Sequence, residues 1–295
     1  MIFKILIIAF IFNPWNAFSK SVISTISWEE GVNQSSVKGW IASVDKVNNI
    51  SSTTYIRKKF GGKDKLHRKG HRDVIVWIPG STDLSKEFIM ILWFHGHYGY
   101  VPRRTFQDRT LKQFVPFAQS EKSKNFVVVI PEMPWSVHTR TPTKRNSQLW
   151  LQPGDFLGFV KQINEILQQH LSRVRSTNIH LGKIDYKIVG HSAGGSTIKR
   201  LGITGDLCKL NPSVVVWSDS SYGKWLDNAW DGCLKNSNIQ VKIFVYKGGA
   251  PWRQATRFLG TFQDPPINIE FHIKRGGWSH KLIGNNIVKL SRLMY

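Results

Sequence analysis

The stretch Tyr186-Lys187-Ile188-Val189-Gly190-His191-Ser192-Ala193-Gly194-Gly195 constrains this chain more than any other. An apolar strand candidate runs directly into a Gly-x-Ser-x-Gly turn, and a helix-capable segment follows. A serine on so tight a strand-to-helix turn takes up a strained backbone conformation that lifts its hydroxyl off the end of a sheet. The turn closes only if its flanking positions, Gly190 and Gly194, lack side chains. The five-residue pattern turns up by chance in ordinary Gly-rich loops. Here the strand before it and the helix after it are both present, which is the context the motif requires. Ser192 is therefore the candidate nucleophile, exposed at one edge of a strand–helix layered fold.

Periodicity supplies the remaining layers. Short β-rich runs at 53–60, 73–78, 88–94, 126–130, 185–189, 213–218, 241–246 and 268–273 read as strands. Between the later ones lie helical patterns. Residues 156–171 place Phe156, Leu157, Val160, Ile163, Ile166 and Leu167 on one face after the N-cap signal Pro153-Gly154-Asp155. Further helices are expected after Ser192, over 222–234 and over 281–294. Strands that are continuously apolar and alternate with helices predict an α/β class fold, a mostly parallel eight-stranded sheet with helices on both faces. In such sheets ligands bind beyond the carboxyl ends of the strands.

The start of the chain suggests a compartment. Met1–Ser19 has one basic residue, Lys4, an apolar run from Ile5 to Phe12, the Pro14 break and a small-x-small site at Ala17-Phe18-Ser19. This reads as a signal peptide, because the run is well short of the about 20 residues needed to span a bilayer. Residues 20–295 are then expected to form a single domain, secreted or periplasmic, with no transmembrane segment. In an oxidising compartment Cys208 and Cys233 can pair. Each precedes a predicted strand, so parallel neighbours would bring both to the amino-terminal edge of the sheet, opposite Ser192.

The charge is strongly one-sided: 41 Lys and Arg against 19 Asp and Glu, a net +22. Such an excess favours anionic partners, an acidic cell-envelope polymer among them; no specific nucleic-acid partner is expected, and the chain is expected to act as a monomer. The densest part, Arg57–Arg72, sets eight Lys or Arg against Asp64 alone. It reads equally as a solvated basic hairpin and as a binding element. Residues 20–72 as a whole match no recognised pattern.

Two further motifs complete the set. The strand 88–94 ends in His95-Gly96-His97-Tyr98-Gly99, and the last strand is followed by Gly276-Gly277-Trp278-Ser279-His280 just before the closing helix. His95 and His97 alone cannot make a metal site without further ligands, and none is apparent. The His-Gly loop, the Gly-His-Ser-Ala-Gly elbow and the late histidine together resemble the α/β-hydrolase superfamily over about Val74–Tyr295. Pro131–Trp135, and Ser218–Gly223 followed by Trp225 and Trp230, are similar to segments of uncharacterised secreted bacterial hydrolases. The resemblance implies acyl transfer with no cofactor and no metal. It makes His280 the base, and it gives an oxyanion hole from the backbone N–H of Ala193 and of His97 or Tyr98.

The acid is left with two candidates. The loop after 241–246, where the superfamily most often places it, has no carboxylate; Asp264 is the nearest one, whereas Asp219 ends the preceding strand and is preferred. Tyr98, Arg103, Arg104, Trp135, Arg140, Trp252 and Arg253 are expected on loops at the same edge. Aromatic rings beside arginines suit a sugar-containing or carboxylate-bearing substrate. The reading is a secreted serine hydrolase, an esterase on an anionic cell-envelope or extracellular substrate. An amidase or peptidase on peptidoglycan-type peptides, or a non-catalytic protein binding anionic polymers, are the alternatives.

Overall fold

A computed structural model describes residues 53–59, 73–97, 110–118, 125–131, 133, 150, 152–175 and 179–294. The signal-peptide reading of 1–19 and most of the basic cluster, residues 60–72, lie outside the described residues.

Eight strands form one sheet: β1 Thr53–Lys59, β2 Asp73–Pro79, β3 Phe88–Phe94, β4 Phe126–Pro131, β5 Ile184–His191, β6 Val214–Ser218, β7 Gln240–Tyr246 and β8 Ile269–Lys274. Their order across the sheet is β1-β2-β4-β3-β5-β6-β7-β8. β2 runs antiparallel to β1 and to β4, and every pairing from β4 to β8 is parallel. The described helices are α1 Val115–Ala118, α2 Asp155–Arg175, α3 Gly194–Thr204, α4 Asp206–Leu210, α5 Trp225–Gly232, α6 Ala250–Leu259 and α7 His280–Leu290. β5, which carries the serine turn, lies inside the sheet between β3 and β6.

β2, β3, β4 and β6 read as nearly unbroken apolar runs because both faces are covered. Val74, Val76, Met90, Leu92, Val127, Val129, Val215 and Trp217 point to one side, against residues of α2, α3, α5 and α6. Their neighbours Ile75, Trp77, Ile91, Trp93, Val128 and Val216 point to the other, against Leu111, Phe114 and the α7 residues Ile283, Ile287 and Val288. The expected core residues Trp77, Trp93 and Trp217 are all buried. The fully buried Asp206 carboxylate is structural: it accepts the N–H groups of Gly154 (2.7 Å) and Phe156 (3.1 Å) where α2 begins. That closes a helix terminus whose donors have no partner within the helix.

Three helical expectations need correction. The pattern over 222–234 is a shorter helix, α5, followed by a single 3-10 turn at Leu234–Asn236, because Gly223 takes a positive φ (52°) and ends the preceding turn. The closing helix stops at Leu290, where Lys187 Nζ donates to Leu293 O (2.7 Å) and Lys242 Nζ to Ser291 O (3.3 Å). The stretch after β7 is not simply a loop. Helix α6 starts at Ala250 with Pro251 in its first turn, a position where the missing N–H costs nothing. Trp252 and Arg253 therefore stand on a helix.

Cys208 and Cys233 are joined in a disulfide with Cα atoms 6.1 Å apart. They lie in the connections leading into the amino ends of β6 and β7. No helix among the described residues is long and apolar enough to cross a membrane.

Candidate active site

The serine turn is built as tightly as its glycines demand. Ser192 has φ +55° between the end of β5 and the start of α3. A Cβ at Gly194 would lie 2.4 Å from Phe94 O, and one at Gly190 would lie 2.6 Å from Ile198 Cδ1 and 3.1 Å from the Gly194 carbonyl. A side chain at Gly194 would have to displace backbone, and one at Gly190 would have to displace the Ile198 side chain. The Ser192 N–H donates to Ser218 O (3.2 Å), which ties the turn to the end of β6.

From the β3 side, the chain crosses directly over the serine. A Cβ at Gly96 would be 2.7 Å from Ser192 Cβ and 3.2 Å from its Oγ. This loop is fixed by the buried His95, whose Nε2 accepts the Met133 N–H (2.9 Å) while Nδ1–H donates to Gly96 O (2.8 Å). Both nitrogens of His95 are thus committed to backbone, so its ring is a brace between the ends of β3 and β4. His97 follows, exposed, at the turn. The Ala193 N–H makes no backbone hydrogen bond among the described residues and begins the N-terminal end of α3, where the helix dipole favours negative charge.

On the other side of β5 lie the carboxylate and the histidine. Asp219 follows β6, is fully buried and has φ +47°. Its N–H donates to Phe244 O (2.7 Å), and its Oδ2 lies 2.6 Å from His280 Nδ1. His280 is the first residue of α7. Gly276 (φ +54°) and Gly277 (φ +65°) form the turn that delivers it from β8, and Ser279 caps the helix by accepting the Leu282 N–H (3.3 Å). Asp264 is exposed in the connection between α6 and β8, and Asp227 pairs with Arg257 (2.8 Å); neither meets His280.

Two neighbours of this group escaped the sequence reading. His191 stacks on His280 with ring centroids 4.5 Å apart and planes 26° apart, and its Nδ1–H donates to Ser218 O (2.9 Å). Tyr222 lies close enough to Asp219 and Ser192 for both to bear on its phenol. Burial and the nearby Asp219 charge push it above the ordinary tyrosine range, with the Ser192 hydroxyl working against them. The only available signal was position: His191 is the first x of the elbow, and Tyr222 follows Asp219 by one short turn.

The candidate contact residues are less well gathered. Arg253 is exposed and donates from Nη1 to Gly248 O (3.3 Å), and Trp252 packs against the core under α6. Tyr98, Arg103, Arg104, Trp135 and Arg140 lie outside the described residues.

No protein-family model and no curated protein matches the chain in sequence. Solved structures do match in three dimensions. An S-formylglutathione hydrolase from Staphylococcus aureus is similar with a TM-score of 0.50 and 13% identity, over 81% of this chain and 94% of the other. A fluorophosphonate-binding serine hydrolase of Staphylococcus aureus aligns with a TM-score of 0.51 and 12% identity, over 82% of this chain and 98% of the other. The chain has the α/β-hydrolase fold. Within that α/β-hydrolase frame, Ser192, Asp219 and His280 all stand at the carboxyl edge of the parallel strands, where this architecture places its ligands. Asp219, the candidate acid, follows β6 and not β7, and the stretch after β7 is taken up by the start of α6.

Proposed function

We propose that this protein is a secreted serine hydrolase that cleaves carboxylic esters of anionic or sugar-containing, cell-envelope or extracellular material. The 2.6 Å contact between a fully buried Asp219 carboxylate and His280 Nδ1, at the same sheet edge as a strained Ser192, carries the reading. A buried carboxylate in that position holds the proton on Nδ1 and leaves Nε2 as the base. Nε2 takes the Ser192 proton as Oγ attacks the acyl carbon, and returns it to the departing alcohol oxygen. The tetrahedral oxyanion is received by the N–H groups of Ala193 and His97, the first lying at the amino end of α3. Water then repeats the sequence on the acyl-enzyme.

Export is supported by the leader-like pattern of residues 1–19 together with the Cys208–Cys233 disulfide. The anionic substrate is supported by the net charge of +22. A serine-directed fluorophosphonate probe tests the chemistry: it should label the wild type and not Ser192→Ala, and Ser192→Ala and His280→Ala should each lose turnover while keeping the fold. A folded wild type that the probe never labels would mean a non-catalytic protein. Matched ester and amide substrates, neutral and anionic, then define the bond and charge preferred.

A further inference from the structure

We infer that β8 is an interaction surface for a second copy of this chain, which pairs with it antiparallel about a two-fold axis at His272 and joins two sheets into one. β8 ends the sheet, and its one neighbour among the described residues is β7. Asn268 O accepts the Val241 N–H (2.8 Å) and Lys274 O accepts the Lys247 N–H (2.9 Å), so the even-numbered residues turn their backbone groups towards β7. The groups of Ile269, Phe271 and Ile273, which alternate with them, face the open edge. The Ile269 N–H turns back to Pro266 O (2.9 Å), whereas Phe271 and Ile273 make no backbone bond outwards among the described residues. A regular strand with no proline and no bulge, ending in such a row, is a template for a further strand. The edge is apolar as well. Ile203, Ile267, Ile273 and Leu282 are the large apolar side chains exposed among the described residues, and Ile267 and Ile273 belong to this strand or its approach.

A second copy fits because the strand is complementary to itself. With the axis at His272, Phe271 lies opposite Ile273 of the other copy, and each exchanges both its N–H and its C=O. The same register sets Glu270 opposite Lys274 on the α7 face, where His272 stacks on Phe244 (4.5 Å), and sets apolar Phe271 and Ile273 together on the other face. Both charges are held at the edge beforehand: Glu270 by Lys242 (3.4 Å) and His272 (3.3 Å), Lys274 over the Trp278 ring (5.6 Å). Neighbouring registers lose this match. An axis at Phe271 sets Glu270 against His272, and one at Ile273 sets His272 against Lys274 and Phe271 against Arg275. Cross-strand pairs of opposite charge and of apolar residues stabilise one register over another. The net charge of +22 opposes the encounter, but screening over about 8 Å at physiological salt leaves the contact pairs to decide it. The chain is then a dimer and not the monomer expected from its sequence.

Sedimentation velocity at physiological salt, over a series of protein concentrations, tests this. The wild type should pass from monomer to dimer. Ile273→Pro deletes an N–H that faces the edge and spares the β7 ladder, a change edge strands tolerate, and should stay monomeric throughout. Lys274→Glu and Glu270→Lys each set like charges opposite one another at two symmetric places and should each weaken the dimer about tenfold. An equimolar mixture of those two variants should recover the wild-type affinity, because opposite charges face each other again in the mixed pair. Should thermal unfolding show Glu270→Lys to be destabilised beside Lys242, Ile273→Pro and Lys274→Glu carry the test. A wild type that remains monomeric overturns the proposal, and so does a dimer that Ile273→Pro leaves unchanged. A dimer indifferent to Lys274→Glu, or a mixture of folded variants that does not recover, overturns the register at His272. None of these residues belongs to the Ser192, Asp219 and His280 group, so dimerisation and labelling of Ser192 stand or fall separately.

Discussion

Substituting Gly284 by alanine should damage catalysis far more than stability. Gly284 stands four residues after His280, on the same face of α7. A Cβ there would lie 2.5 Å from His191 Cε1 and 2.6 Å from its Nε2, where ordinary contact begins near 3.4 Å. The His191 ring must retreat by about 1 Å to relieve so steep a repulsion. It has little freedom to do so. Its Nδ1 is held by Ser218 O at 2.9 Å, and it stacks against His280 at 4.5 Å. The displacement is therefore passed to the His280 ring, which meets Asp219 at 2.6 Å. Overpacking costs about 1–3 kcal/mol, and the higher helix propensity of alanine offsets about 1 kcal/mol of it, so the melting temperature should fall by only a few degrees. A misplacement of about 1 Å in a catalytic group lowers turnover by about 10²-fold. The assay is kcat/KM on a neutral p-nitrophenyl ester beside thermal unfolding, for Gly284→Ala in the wild-type and His191→Ala backgrounds. The loss should be large in the first and nearly absent in the second, where no ring remains to be pushed. Full activity in Gly284→Ala, or an equal loss in both backgrounds, would refute this coupling.

Two other expectations concern stability. Replacing Cys208 and Cys233 by serine reopens a loop of 25 residues, worth about 3.5 kcal/mol in the chain-entropy model, and should lower the melting temperature by roughly 10 °C without changing turnover at 25 °C; a shift of the same size on mild reduction of the wild type checks the cause. Burial raises the Glu270 carboxyl, but His272 and Lys242 together outweigh it and hold the group below its ordinary value of 4.5. A depressed carboxylate contributes stability that is complete above its unfolded value and lost as pH falls through its folded one. As a half-exposed surface pair it contributes under about 1 kcal/mol. Glu270→Gln should therefore destabilise slightly at pH 7 and lose that difference at low pH, measured by urea unfolding across the acid range.

Strands were the most legible part of the fold, because burial on both faces leaves continuous apolar runs with turn residues between them. Phe126–Pro131 and Phe88–Phe94 stand out for this reason. Helix α6 was hidden by Gly248-Gly249 and Pro251, which announce a loop even though proline suits a helix's first turn. The serine and histidine were legible from local punctuation, a glycine-flanked turn and a glycine pair before a capped helix. His191 and Gly284 were not, because each matters through a contact with a residue on a different element. No local pattern records that a ring from the elbow rests in the space left by a glycine on α7.

The choice between Asp219 and Asp264 shows the same limit at the centre of the site. From sequence, the distinguishing fact is only which strand each follows. In three dimensions the Asp219 N–H to Phe244 O bond extends the β6–β7 ladder one residue past Ser218. The left-handed backbone at Asp219 (φ +47°) then turns the chain out of the ladder, and the buried Ser220 and Ser221 follow. A carboxylate rooted at the end of β6 thus meets His280, which arrives from beyond β8. The loop after β7 is then free to enter α6 at once through Ala250 and Pro251, and Pro251 O accepts the Ser221 hydroxyl that fixes the acid's segment. The candidate acid's segment after β6 and the start of α6 are therefore tied to one another by that bond.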